Sequence, residues 1–174
     1  MQHASSVTLF CYDGSNSSKH AIAATSEALS TNNVVLLHIW DPPIEALADS
    51  YSDPGTPVGK SLDQLEADEI ARATALAQEG VELARAVGWD AHMRLERAAG
   101  AEWRVILDVA SSLDAGLIVL GTRGRTAVED GLLGASVSRD VLRHSSRPVL
   151  LVPAPVETYS PSDGEHSIPA TAAY

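Results

Sequence analysis

Short apolar runs alternate with segments of helical periodicity along most of the chain. Continuously apolar runs at residues 7–12, 34–40, 117–120 and 149–152 predict strands that are buried on both faces. An alternating run at residues 91–95 predicts a fifth strand with one wetter face, near a sheet edge. Strands that alternate with helices predict an α/β fold: a single doubly wound, Rossmann-like domain with a five-stranded parallel sheet and about four helices.

Apolar positions at three- and four-residue spacing predict the intervening helices. Residues 15–18 are all candidate caps of the first helix, and the second helix runs from near Ser61 to a stop at Gly88. The third spans residues 102–112, and the last carries Val137, Val141 and Leu142 on its apolar stripe. The predicted stripe of the second helix comprises Leu62, Leu65, Ala73, Leu76, Leu83, Ala84 and Val87.

Two segments depart from this pattern. Residues 41–59 are rich in proline and glycine, which predicts a long loop, either a lid or interface element or a plain insertion. Residues 155–174 lack Lys, Arg and apolar periodicity, which predicts a disordered C-terminal tail. The folded domain is therefore expected at residues 1–154.

Charge narrows the classes of partner. The 174 residues carry a formal net charge of −11, and duplex binding needs a basic face, so we expect no nucleic-acid partner. No apolar stretch is long enough to span a membrane, and no basic leader precedes an apolar run, so we expect no membrane partner. The single Cys11 cannot form an internal disulfide, which fits a reducing, cytoplasmic location.

A glycine segment directly after the strand at residues 117–120 suggests an anion site. Gly121 and Gly124 can take positive φ and let a phosphate approach the backbone. Arg123 and Arg125 supply local positive charge in an acidic chain. The alternative is a tight strand-to-helix turn with solvated arginines.

The chain resembles the universal stress protein family over residues 5–153. Asp13-Gly14-Ser15 is similar to the D-x-S motif that ends the family's first strand, and Leu37-His38-Ile39 to the motif that ends its second. Gly121, Gly124 and Gly134 match its G-x-x-G-x9-G spacing. The resemblance implies a doubly wound fold, a homodimer through the last strand, and, in the glycine-motif branch, an adenine nucleotide at the strand ends.

Carried over by position, the resemblance implies a nucleotide-binding domain with ATP or a related adenine nucleotide. Adenine and ribose would lie beside Cys11, Tyr12, Asp13 and Ile39. The phosphates would lie along Gly121, Arg123, Gly124, Arg125, Gly134, Ser136 and Val137. The homodimer would form through Val149–Val152.

The chain departs from the family pattern at Gly134-Ala135-Ser136, where the family has Ser or Thr directly after the third glycine. Either Gly134 keeps its place and the hydroxyl comes one residue late, or Ala135-Ser136 fills the Gly-Ser role after an insertion. Both alternatives keep Ser136 and Val137 near a helix N-terminus, whose amides attract phosphate.

These features favour a nucleotide-binding regulatory protein of the stress response, whose nucleotide-bound state is recognised by an unidentified partner. The alternatives are a slow ATPase, with Asp13 binding Mg²⁺ and Arg123 or Arg125 stabilising phosphate charge, and a nucleotide-free dimer module. Asp13 equally suits a turn without a ligand. We expect His38 to be a satisfied core histidine and Cys11 a small buried hydrophobe, and we assign no catalytic residue.

Overall fold

The computed structural model describes residues 7–29, 31–43, 61–122 and 137–154. Within them, strands and helices alternate, and all strand pairs are parallel. The strands are β1 (Thr8–Cys11), β2 (Asn33–Trp40), β3 (Asp90–Arg97), β4 (Leu117–Gly121) and β5 (Val149–Val152). The helices are α1 (Asn16–Ala28), α2 (Leu62–Ala86), α3 (Glu102–Ser112) and α4 (Val137–His144). The five-stranded sheet has the order β3-β2-β1-β4-β5, which confirms the predicted doubly wound fold.

Two apolar clusters cover the two faces of the sheet. Phe10 and Leu36 belong to the cluster under α1 and α2, where Ile22 and Val81 pack. Leu9, the neighbour of Phe10, points into the other cluster, under α3 and α4. Successive strand residues face opposite sides of a sheet, so a strand buried on both faces is apolar at most positions, and its polar residues, such as Thr8 and His38, are hydrogen-bonded. This explains the continuous apolar runs of β1, β2 and β4.

The edge strand β3 is more exposed to solvent and longer than the alternating apolar pattern at residues 91–95 predicts. Among the described strands it pairs only with β2, which confirms its edge position, and it runs through Arg97. Ala91 is buried, as predicted, but Met93 is 40% exposed although it shares the face of Ala91. Edge strands commonly carry polar residues that discourage pairing with another chain.

Three predicted stripe positions are wrong. Leu83 of α2 is 36% exposed and Val87, the C-cap of α2, is 39% exposed, and Leu142 of α4 is 53% exposed. The buried face of α2 instead includes small residues, Ala77 and Gly80, that let the helix approach the sheet closely. The same face carries Val81, Ala73 and Ala84, so most of the positions that face the sheet are small rather than strongly apolar.

Helix caps agree with the sequence signals. Ser15 is the N-cap of α1, and its hydroxyl oxygen accepts a hydrogen bond from the Ser18 amide. Ser61 and Gln64 form a reciprocal capping box at the start of α2. Residues 41–43 of the predicted loop have neither helix nor strand, and the rest of that segment and the predicted tail lie outside the described residues.

The strand order places a topological switch point between β1 and β4, where open α/β sheets form a crevice. The helices that follow β1 and β2 pack on one face of the sheet, whereas those that follow β3 and β4 pack on the other. The helices after the adjacent strands β1 and β4 therefore lie on opposite faces. In open α/β sheets, such a switch point is where ligands bind.

Gly121, the last residue of β4, lies against the first turn of α1. A Cβ atom at this position would lie 2.5 Å from the Ser17 Oγ atom and 3.1 Å from the Ser17 carbonyl carbon. Ser17 is itself buried. Only glycine lets the helix sit this close to the strand end, so Gly121 has a packing role beside any role in binding an anion.

We expect Gly121→Ala to destabilise the protein by about 1–3 kcal/mol, because the added methyl group meets backbone that must move. Chemical denaturation measures the change. In a double-mutant cycle, Ser17→Ala removes the nearest atom, so the pair should be less destabilised than the sum of the single variants. An unchanged midpoint in Gly121→Ala would contradict this packing.

Candidate functional site

The turn after β1 forms one wall of the crevice. The Asp13 Oδ1 atom accepts a hydrogen bond from the Ser15 amide at 3.0 Å. Gly14 between them has φ +77°, and a Cβ there would collide with the Leu76 side chain of α2. The Asp-Gly-Ser sequence thus suits a turn that needs a side-chain acceptor, a left-handed residue and a helix cap in succession.

A buried histidine holds the carbonyl that precedes this turn. The His38 Nδ1 atom lies 2.9 Å from the Tyr12 carbonyl oxygen, and only 4% of His38 is exposed. Because a carbonyl oxygen only accepts, Nδ1 carries the proton. This confirms the prediction of a satisfied core histidine.

Tyr12 anchors the turn to α2. Its ring packs on Gly80, where a Cβ would come within 2.8 Å of the ring. The phenol is buried and lies near Glu79, although no described group meets hydrogen-bonding geometry with its hydroxyl. Burial raises the pKa of Tyr12, and the negative charge of Glu79 raises it further, so the phenol stays neutral.

An ion pair ties the first turn of α1 to α2 beside Tyr12. The Lys19 ammonium lies 2.6 Å from a Glu79 carboxylate oxygen. This hydrogen bond lowers the pKa of Glu79. Both side chains are more than one-third exposed, so the pair contributes little stability by itself. Its effect is to fix α1 relative to α2 near the turn.

Cys11, the last residue of β1, faces the other side of the sheet, where it packs against the cluster under α3 and α4. Burial raises the pKa of the Cys11 thiol, and the negative charges of Glu102 and Asp13 raise it further. The thiol therefore remains protonated and unreactive, as expected for a small apolar residue.

The opposite wall begins where β4 ends. The Thr122 amide donates to the Val152 carbonyl at 3.0 Å, and the Thr122 hydroxyl accepts from the Ala154 amide at 3.2 Å. These bonds fix the start of the glycine segment to the end of β5. After the residues of that segment that lie outside the described ranges, Val137 begins α4 and packs against the cluster under α3 and α4.

Most of the predicted site residues within the described part of the chain lie at the carboxyl ends of the strands. Val137 is the exception, since it begins α4. Cys11 pairs with Leu37 in the sheet and Phe10 pairs with Val119, so Ile39 and Gly121 follow at the same carboxyl edge as Tyr12 and Asp13. The remaining predicted residues, Arg123, Gly124, Arg125, Gly134 and Ser136, lie outside the described residues, as does the Gly134-Ala135-Ser136 departure.

The described residues include no group of three or more His, Cys, Asp or Glu side chains that could hold a metal ion. Asp13 would therefore need further ligands, such as phosphate oxygens and water, to bind Mg²⁺. Nor does any helix in the described ranges have the length and apolar character needed to cross a membrane.

Sequence reasoning missed the supports beneath the turn, namely Gly80, Leu76 facing Gly14, and the Lys19–Glu79 pair. One signal was available: an isolated glycine inside a helical pattern, such as Gly80, often marks close packing. The ion pair joins residues sixty positions apart, and nothing in the local sequence indicates it.

Comparisons with known proteins agree with this architecture. A universal stress protein of Thermus aquaticus, encoded in the QAH/OAS sulfhydrylase 3' region, is 34% identical over 146 residues, covering 83% of this chain and 96% of the relative. The solved structure of MJ0577, described as a hypothetical protein, superposes with a TM-score of 0.65 at 20% identity, covering 86% and 96% of the two chains.

A universal stress protein solved in complex with cAMP superposes with a TM-score of 0.60 at 22% identity, covering 87% of this chain and 99% of that one. These two superpositions show a shared fold. The description of the universal stress protein family matches residues 7–153, nearly all of the described sheet and helices. With the five-stranded parallel sheet and the Thermus relative, this match shows that the chain belongs to the universal stress protein family.

Proposed function

We propose that this protein binds an adenine nucleotide in the crevice between β1 and β4 and acts as a regulatory binding protein of the stress response. The observation that carries the proposal is the position of the Asp13-Gly14-Ser15 turn. It lies at the switch point, beside Gly121 and the start of the glycine segment.

The geometry fits a nucleoside at this edge. Cys11 and Ile39 offer partly buried apolar surface to a flat base, and both pack against the cluster under α3 and α4. The Asp13 carboxylate is half-buried and offers acceptor oxygens, the chemistry that binds ribose hydroxyl groups. Base and sugar thus have complementary surface on one wall of the crevice.

The N-terminus of α1 suits a ligand that combines a neutral sugar with phosphate. Of the helices in the described ranges, α1 is the one without an acidic residue in its first turn, whereas the others carry Asp63, Glu102 and Asp140 there. The Asp13 carboxylate on the Ser15 amide is the negative charge beside this N-terminus, so the proposal places the sugar there and the phosphates toward the glycine segment. In this proposal Arg123, Arg125 and the three glycines complete the phosphate site.

Relatives support the choice of ligand. Universal stress proteins of this fold have been solved in complex with cAMP, with AMP bound in Arabidopsis thaliana, and with dAMP in Archaeoglobus fulgidus. All three ligands are adenine monophosphates. We extend the class to ATP, since the G-x-x-G-x9-G spacing leaves backbone for further phosphates.

Purified protein should release an adenine nucleotide on denaturation, detected by mass spectrometry. Added AMP, cAMP or ATP should raise the melting temperature by several degrees at about 100 times Kd, where binding contributes about 2.7 kcal/mol. GTP serves as the control for the base. Absence of adenine nucleotide together with no shift for any adenine ligand would contradict binding.

Substitution of Asp13 separates its two roles. Asp13→Asn keeps an acceptor for the Ser15 amide but removes the charge, whereas Asp13→Ala removes both. We expect Asp13→Ala to weaken AMP binding about 10–100-fold, the range for a hydrogen bond to a charged group, and Asp13→Asn to weaken it less. Asp90→Ala, at the amino-terminal end of β3, is the matched control. Calorimetric titration measures the AMP affinity of all three variants.

The same variants test the ATPase alternative. We expect no phosphate release from ATP and Mg²⁺ beyond the uncatalysed rate. Phosphate release that disappears in Asp13→Ala would favour the enzyme, and release that persists would exclude Asp13 as its metal ligand. AMP affinity equal to wild type in Asp13→Ala would remove Asp13 from the site.

We further propose a homodimer through the outer edge of β5. Pro148 and Val152 turn their carbonyl groups toward β4, so the alternating Leu151 turns its backbone groups away from it. Val149, Leu150 and Leu151 are only half-buried within one chain. A second copy would pair with these backbone groups.

Sedimentation should give a mass about twice 18.3 kDa for the wild type. Leu151→Pro removes an outward amide and should give a folded monomer, because it leaves the bonds to β4 in place. Leu150→Pro is the control, since its amide faces β4 and its loss should reduce stability. A monomeric wild type, or a dimeric Leu151→Pro variant, would contradict this interface.

A further inference from the structure

The hydrogen bond between His38 and Tyr12 stands where the sheet ladder between β1 and β2 stops. Cys11 pairs with Leu37, so Tyr12 is level with His38. The Tyr12 amide still donates to the Leu37 carbonyl at 2.8 Å. In a continued parallel ladder, the Ile39 amide would donate back to the Tyr12 carbonyl. Here the imidazole of His38 is the donor to that carbonyl instead.

This replacement has a geometric consequence. The chain must leave the sheet directly after Tyr12, because Asp13, Gly14 and Ser15 turn it into α1. A buried carbonyl left without a donor is costly, and a backbone donor would require Tyr12 to stay in the ladder. The His38 side chain reaches the Tyr12 carbonyl although the chain is already turning out of the sheet there. The ladder of β1 can therefore end at this point.

We propose that His38 is a positioning residue for the nucleotide site: it fixes the Tyr12 carbonyl and thereby sets the direction of the Asp13 carboxylate. The inference rests on the proposed binding function. Two contacts hold Tyr12 from different sides, the imidazole on its carbonyl and Gly80 under its ring. Asp13, the next residue, inherits that orientation and is locked by its bond to the Ser15 amide.

Three variants test the role, with AMP as the probe in calorimetric titration. His38→Leu removes the donor at similar volume, and we expect about tenfold weaker binding. His38→Asn places an amide nitrogen near the Nδ1 position and should restore most of the affinity. Val34→Ala, at the other end of β2 and fully buried, lowers stability without touching the turn and should bind AMP as the wild type does.

Amide hydrogen exchange tests the positioning without any ligand. In His38→Leu the Tyr12 and Lys19 amides, which bond to Leu37 and Ser15, should exchange faster, whereas the Ile118 amide at the opposite end should not change. His38→Leu with wild-type affinity, or with unchanged exchange at Tyr12 and Lys19, would overturn the inference. If the wild type itself fails to bind AMP, the proposed function fails, and the exchange experiment still decides whether His38 positions the turn.

Discussion

The order of the parallel strands places the helices after β1 and β4 on opposite faces of the sheet, and this topology fixes where a ligand can bind. Adjacent parallel strands with this arrangement form a crevice at their carboxyl ends. The strand order places this switch point in the interior of the sheet, one strand from the β5 edge. Every residue proposed to touch the ligand ends or follows β1 or β4, or lies near the end of β2.

The walls of the crevice are built by backbone rather than by charge. Gly121 lets α1 sit against the end of β4, and Gly80 lets α2 sit against Tyr12. His38 completes the hydrogen bonding of a strand that ends one residue before the turn. In a chain with net charge −11, the proposed phosphate site would rest on backbone groups together with Arg123 and Arg125, rather than on a broad basic surface.

The fold was predictable because strands that are buried on both faces appear in the sequence as runs of consecutive apolar residues. The apolar runs located β1, β2, β4 and β5 to within a residue or two, and Ser15 and Ser61 marked helix starts. The exposure of Leu83, Val87 and Leu142 was not predictable from hydrophobicity, since spacing does not say how closely a helix approaches the sheet. Three-dimensional packing decides that, through small residues.

The placement of the candidate site residues was predictable in part. Cys11, Tyr12, Asp13, Ile39 and Gly121 meet at one edge because the topology brings strand ends together, and the motifs lie at those ends. The packing role of Gly121 and the support from His38 depend on contacts between residues distant in sequence, which no local motif carries.

A nuclear magnetic resonance titration of labelled protein with AMP shows where on the sheet the nucleotide binds. Binding at the switch point should change the amide shifts of residues 11–15, of Ile39 and of Gly121 and Thr122, which lie at the carboxyl ends of the strands beside the crevice. Amides at the opposite edge, such as Asn33 and Leu117, should stay in place. Changes centred on that opposite edge or on β3, or no change at saturating AMP, would contradict a nucleotide site at this switch point.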